Sequence, residues 1–297
     1  MPTTFPARQS SRLARGLPWL FFALVVVAPR RSHAIYEWES SQSNFGLYGS
    51  AKLFPTFTHT RPIAGMEAED FWLTLGSLRL SLDAGTHESI ALDAAYHLFP
   101  VLRDGDRAGT GFGTLDSGLV QPRGSALRIV DFDHRLVDRE NVALDHNLDR
   151  LNLLLMFGGW DLHIGRQAIG HGSARIFSST DIFSPFSPAT LDNEFKQGVD
   201  AARLTLPWGE DTEFELIAVG HRDKQRDGIY LARFGHSFTG FDASVYGGSS
   251  YRTPTLGLDA SGDLFDATFY AEVFYRHWSQ ASFERNAGRT DRSCSPF

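Results

Sequence analysis

The chain has 297 residues, 28 basic and 35 acidic side chains, and a formal net charge of −7. That balance argues against nucleic acid as a partner, because binding phosphates needs a basic footprint. The single cysteine, Cys294, excludes an intramolecular disulfide framework and a cysteine metal cluster.

Arg8, Arg12 and Arg15 precede an apolar run from Leu17 to Ala28, and Ser-His-Ala follows at Ser32 to Ala34. The run is shorter than the roughly 20 residues of a membrane-spanning helix, so the order predicts a secretory signal peptide over residues 1–34. Arg30 and Arg31 are atypical after such a core. Cleavage after Ala34 removes five arginines and no acids, leaving 263 residues at a net charge of −12 as one β domain, 35–297.

Period two takes over from there. In Ser89 to Leu98, Ile90, Leu92, Ala94, Tyr96 and Leu98 alternate with Ala91, Asp93, Ala95 and His97. Further strands are expected at Phe45–Phe57, Phe71–Leu82, Ala126–Asp133, Asn147–Phe157, Trp160–Arg166, Val199–Leu206, Thr212–Gly220, Ile229–His236, Phe241–Gly248, Thr255–Ala260 and Asp266–Arg276. Helical periodicity of comparable length is absent, and no run of about 18 apolar residues follows the leader.

The connections after Leu151 alternate between short (GGW, PWGED, SFTG, SGD) and longer (Gln167 to Gly198, HRDKQRDG, SSYRTP). Loop lengths sorted by parity suggest an outer-membrane barrel, whereas a soluble β-sandwich has no reason to sort them. Before Asn147 the alternation has the wrong phase unless LVDRENVA supplies a further strand, which leaves the topology of 134–146 open.

Arg203, Glu215 and Glu272 share strands with smooth apolar faces, so these charges are expected inside a closed barrel, since an open sheet edge in lipid is forbidden. Trp72, Trp160, Trp208, Tyr246 and Tyr251 lie near strand ends, where an aromatic girdle would sit.

The stretch GRQAIGHGSARIF opens the longest of these connections. It has neither the lysine nor the helix of a phosphate loop. His171 beside Ser173 specifies no catalytic geometry, and His163 and His171 lack a carboxylate at metal-ligand spacing. No enzyme, metal site or cofactor is expected. GTGFG at Gly109–Gly113 and DFDH at Asp131–His134 are equally unspecific. The connection carries His171, Arg175, Asp181, Asp192, Glu194 and Lys196; folded into a lumen it would set pore size and ionic selectivity, and left outside it would be a solvated loop.

With TDIFSPF and EFKQGVDAARL, this stretch resembles a family of porin-like outer-membrane barrels of Gram-negative bacteria. NLDRL at Asn147–Leu151 and GLDASGDL at Gly257–Leu264 add to the likeness, which covers roughly Ala126 to Trp278. The resemblance implies an all-β, antiparallel transmembrane barrel that passes solutes. Of the family's recurring positions, Arg166, Gln167, Asp181, Pro185, Gly198 and Asp200 match. Arg166 has the parity of Trp160, Leu162 and Ile164, which predicts that it lies past the end of its strand. The chain departs from the pattern at NAGRTDRSCSPF, which lacks a closing alternating strand, so the final strands after about residue 280 are expected to be missing.

The expected function is an outer-membrane channel for small hydrophilic solutes, with lipid and the barrel-assembly machinery as further partners. Arg166, His171, Arg175, Asp181, Asp192, Glu194, Lys196, Asp200, Arg203, Glu215 and Glu272 are the pore-lining or constriction candidates. The rival readings are a non-conducting barrel that binds surface polysaccharide and a secreted soluble β-protein.

Overall fold

The computed structural model describes residues 33–59, 70–86, 89–104, 125–172, 178–184, 192, 194–264 and 267–277. The leader core, GTGFG, Arg175, Pro185 and the stretch 278–297 lie outside the described residues. Thirteen strands follow one another: β1 His33–Glu39, β2 Ser43–His59, β3 Asp70–Thr86, β4 Ile90–Arg103, β5 His134–Arg139, β6 Val142–Phe157, β7 Trp160–Gln167, β8 Val199–Trp208, β9 Thr212–Val219, β10 Ile229–Phe238, β11 Phe241–Ser250, β12 Thr253–Leu264 and β13 Ala267–Arg276. The proposed cleavage after Ala34 falls at the second residue of β1.

All thirteen belong to one antiparallel sheet in which chain neighbours pair, except that β4 pairs β6 and β5 sits off the path against β6. The all-β antiparallel class expected from period two is what the chain forms. The edge strands β1 and β13 are not bonded to each other, so among the described residues the sheet is open. No helix of the described residues is long and apolar enough to cross a membrane.

The long strands of the N-terminal half, up to 17 residues, project beyond the 8- to 12-residue strands that follow β6. That step explains β5. Strand β7 pairs β6 from Leu151 to Phe157, and β5 pairs the part left free, Val142 to His146. The further strand expected over LVDRENVA does not form: that stretch is the end of β5, a turn at Glu140 and Asn141 and the start of β6, and the phase of the connections is restored because β4 pairs β6 directly and no strand forms over 126–133.

Two expectations fail. Ala126–Asp133 is not a strand: Leu127 and Arg128 are both buried and Ile129 and Val130 both exposed, which period two forbids. Burial of the Arg128 guanidinium against four polar partners, described below, overrides the local alternation. SSYRTP is not a long loop either. Tyr251 and Arg252 form a two-residue turn with φ of 51° and 63°, the positive values that a tight hairpin of this hand requires.

Register sorts the two faces. One row of paired residues runs Ile90, Leu155, Leu162, Leu204, Leu216, Ala232, Gly247, Leu256 and Tyr275 from β4 to β13, without a charge. The adjacent row on the opposite face runs Met156, Asp161, Thr205, Glu215, Arg233, Tyr246, Gly257 and Phe274. Large apolar side chains of the first face, among them Leu151, Leu153, Ile164, Leu216, Phe234, Leu256 and Val273, are solvent-exposed. Described residues of the connection between β7 and β8 pack on the second face.

Candidate functional site

Described residues of the connection from β7 to β8 lie against the charged face of the sheet, meeting β13 near one edge and β2 and β3 near the other. The connection leaves β7 through Ile169, which with Phe183 and Leu127 packs on Val199, Ile217, Val219, Ile229 and Leu231 of β8 to β10. Each of these apolar side chains contributes about 1.5–3 kcal/mol on full burial, enough to hold the start of the connection against the wall. His171 follows, its ring 5.5 Å from Phe183 and 5.6 Å from Tyr246 of β11.

At its far reach the connection meets β13. The Glu272 carboxylate accepts hydrogen bonds from Ser178 Oγ at 3.0 Å, Ser179 N at 2.6 Å and Thr180 N at 3.3 Å. Charge-assisted bonds of this kind are roughly twice as strong as neutral ones. The return passes through an ion pair between Asp181 and Lys196. It then reaches the other side of the sheet, where Lys52 Nζ on β2 donates to Asp192 Oδ1 at 2.7 Å and also pairs with Glu194. Ser77 of β3 donates to the second oxygen of Asp192 at 3.1 Å. The Phe195 ring lies under the Arg79 guanidinium at 4.3 Å and near Lys52 Nζ at 5.2 Å.

Gly198 ends the connection. Its N–H donates to Asp149 Oδ1 at 3.1 Å and its carbonyl accepts from Arg128 Nε at 2.9 Å. A Cβ here would stand 2.2 Å from the Asp149 carbonyl oxygen, so only glycine fits. Asp149 is 1% exposed and accepts from Arg79 at 2.6 Å and Arg150 at 2.9 Å, with Arg128 at 3.5 Å. Arg128 also donates to Asp133 at 3.0 Å and to Asn147 at 2.9 Å. Asp149 stands at an irregularity in the β4–β6 register, where Tyr96 pairs Leu148 and Ala95 pairs Arg150, so one extra residue is accommodated. The NLDRL and GVD motifs thus meet in space as two halves of one buried junction that ties the connection to β6.

Of the eleven candidate residues, His171, Asp181, Asp192, Glu194, Lys196, Arg203, Glu215 and Glu272 are on the charged face or in the connection that covers it. Arg203 Nη1 is 3.6 Å from Glu215 Oε1, and His171 Nε2 is 3.4 Å from Glu215 Oε2 without hydrogen-bond geometry. Burial, then Arg233, Arg203 and Lys196, push the His171 imidazole down to about 3, so it is neutral at pH 7. Burial likewise lowers the Lys196 ammonium against the opposing pull of Asp181.

Arg166 and Asp200 do not line this face. Arg166 belongs to β7 rather than lying beyond it, and its register partners are Leu151 and Asp200, on the apolar face. There Arg166 Nε donates to Asp200 Oδ1 at 2.7 Å, with Phe132 over the guanidinium at 5.2 Å. Asp200 also accepts from Ile129 N at 2.7 Å. The pair is a clasp that fixes the segment 125–133 to the rim. Gln167, on the opposite parity, donates to the Ala201 carbonyl at 3.2 Å.

Sequence reading missed Lys52, Arg79, Asp149 and Arg150. Parity could have found Arg79, which alternates with Leu78 and Leu80. Asp149 keeps the parity of Asp145 and Asn147, and the alternation fails only after it, where Arg150 is buried as well. Of the girdle candidates, Trp72, Trp160 and Trp208 are exposed, Trp208 to 80%, whereas Tyr246 is buried on the charged face and Tyr251 packs at its rim. Among the described residues no group of three or more His, Cys, Asp or Glu side chains could hold a metal ion.

No protein-family model matches this chain, and no curated protein or solved structure aligns with it significantly.

Proposed function

We propose that the protein is a porin-like channel of the outer membrane, with its uncharged row against lipid and its charged face around a water-filled passage for small hydrophilic solutes. The observation that carries this reading is the contrast between two adjacent rows of the sheet. Nine strands present an unbroken uncharged row, while the next row carries Asp161, Glu215 and Arg233. A soluble protein rarely leaves so extended an apolar surface uncovered, and lipid is the solvent that suits it. The exposed Phe157, Trp160, Trp208 and Phe238 near the short turns suit an interfacial belt. The connection between β7 and β8 then narrows the passage and places both charge signs across it.

Expression with the leader, isolation of the outer membrane and electrophoresis with and without boiling test the assembly. A band that shifts on boiling, followed by discrete conductance steps in planar bilayers, is the expected result. Protein recovered in the periplasm or medium would favour a secreted β-protein. The same crossing connection would plug the passage in the polysaccharide-binding alternative, which predicts the heat shift without conductance.

A further inference from the structure

His134, the last residue of the DFDH stretch, gains a partner through the fold. It opens β5, and its register partner across the β5–β6 ladder is His146. Directly opposed residues send their side chains to the same face with Cβ atoms about 4.5–5.5 Å apart. The two imidazole centroids stand 5.7 Å apart, with the ring planes inclined at 50°. We propose that this histidine pair binds a divalent transition-metal ion of the copper, nickel or zinc type and so pins β5 to β6.

The separation of the rings suits a shared ion. Imidazole nitrogen binds these metals at about 2.0–2.1 Å. Each ring centroid then lies roughly 3.2 Å from the ion, so two imidazoles share one ion at centroid separations of about 5–6 Å. Among the described residues no group of three or more His, Cys, Asp or Glu side chains offers a fuller set of ligands. Copper(II) and nickel(II) accept nitrogen and oxygen donors in a tetragonal arrangement, in which water completes what two histidines begin.

The surroundings favour nitrogen ligation at this point. β6 lies between β5 and β4, and the His146 ring also stands 5.6 Å from Tyr96 of β4. Its Nδ1 is buried without a hydrogen-bond partner among the described residues, a cost that coordination relieves. His134 is solvent-exposed, which gives an ion its way in, and rotation about its Cβ–Cγ bond presents either nitrogen. The carboxylates of the same motif are engaged elsewhere, Asp131 with Arg222 at 2.9 Å and Asp133 with Arg128 at 3.0 Å. Two imidazoles without a carboxylate select copper, nickel and zinc over calcium and magnesium, which take oxygen ligands.

The pair also stands where an ion in water can reach it and where a fastening matters. His146 has the parity of Leu144 and Leu148, opposite to the buried Asp145 and Asn147. It lies five positions beyond Leu151, about 16 Å of strand. Leu151 is level with Arg166 and Asp200, so this charged pair separates the histidines from the uncharged row. Strand β5 is six residues long and pairs β6. Arg135 and Asp145 hold the inner face of that ladder at 2.9 Å, and an ion between His134 and His146 would hold its outer face. Binding to the folded chain alone stabilises it.

The test is titration of the purified, untagged, folded protein with copper(II), read by the copper EPR spectrum and by hydrogen exchange of the β5 amides. One ion per chain with hyperfine structure from two imidazole nitrogens is expected, together with slower exchange in β5. His134→Gln and His146→Gln, made separately, should each weaken binding tenfold or more and abolish the effect of copper on β5. Exchange of β6 without metal reports that each variant is folded. His277→Gln, at an exposed histidine just past β13, should bind like the parent. Binding that is absent, that survives either of the first two substitutions, that is lost equally in His277→Gln, or that leaves β5 exchange unchanged overturns the proposal. None of these readings uses conductance, so the metal site and the channel stand or fall separately.

Discussion

Asp149 joins more of the described ion pairs than any other residue. Three guanidiniums, Arg79, Arg128 and Arg150, and the Gly198 amide share its carboxylate, and it is 1% exposed. Removing one member of a buried charge cluster leaves the others uncompensated, which is strongly destabilising, at about 3–5 kcal/mol. Asp149→Asn should therefore lower the urea midpoint of the folded protein by that order and loosen the return of the β7–β8 connection at Gly198. Asp138→Asn, whose side chain is 60% exposed beside Arg103 and Arg135, should change the midpoint little. Equal midpoints for the two variants would contradict the central role of Asp149. Little of this junction was legible in the sequence. NLDRL and GVD stood out as motifs, but Arg79 lies 70 residues from Asp149 and reaches it only through β3–β4–β6 pairing. Another of its three arginines, Arg128, sat in a stretch whose alternation suggested a strand.

At the scale of elements, the alternating strands were legible because each has one apolar and one polar face, and their positions follow from that pattern. The exceptions share a physical cause. Where a side chain is anchored by distant partners, as Arg128 is, or a bulge shifts the register, as at Asp149, local periodicity stops reporting the structure. The β7–β8 connection is the extreme case, since its place across the charged face depends on Lys52, Glu215, Tyr246 and Glu272 from four different strands. One of its own groups makes the docking depend on pH. An undocked histidine titrates near 6.5, whereas His171 in place is held at about 3. Its folded value is depressed, so the undocked state binds more protons below 6.5. Docking is then fully stabilised above pH 6.5 and loses stability as the pH falls from 6.5 toward 3, by roughly 2–3 kcal/mol at pH 4.5 for this group. Hydrogen exchange of the Thr180 amide, corrected for intrinsic rate, measures the docking free energy across that range. His171→Gln should reduce the slope between pH 6.5 and 4.5; an unchanged slope would show that the imidazole does not report docking.

At the scale of the whole molecule the question is which solvent each face of the sheet meets. Arg203 and Leu204 are consecutive residues of β8, and the pleat sends them to opposite faces. Arg203 is paired with Glu215 on the charged face, and Leu204 sits in the uncharged row between Leu162 and Leu216. Swapping their character one at a time separates a bilayer from water as the outer medium. If lipid covers the uncharged row, Leu204→Arg places a charge in hydrocarbon at about 2–4 kcal/mol, and heat-shifted protein in the outer membrane should fall steeply. Arg203→Leu leaves the buried Glu215 short of one cationic partner in either medium, and alters conductance if this face lines a passage. If the outer medium were water, Leu204→Arg would be neutral or improve solubility by interrupting an exposed apolar surface, and would be tolerated better than Arg203→Leu. The two substitutions differ by one position along the chain, so composition and propensity hardly distinguish them. The difference in their yield of assembled protein therefore reports the environment of each face.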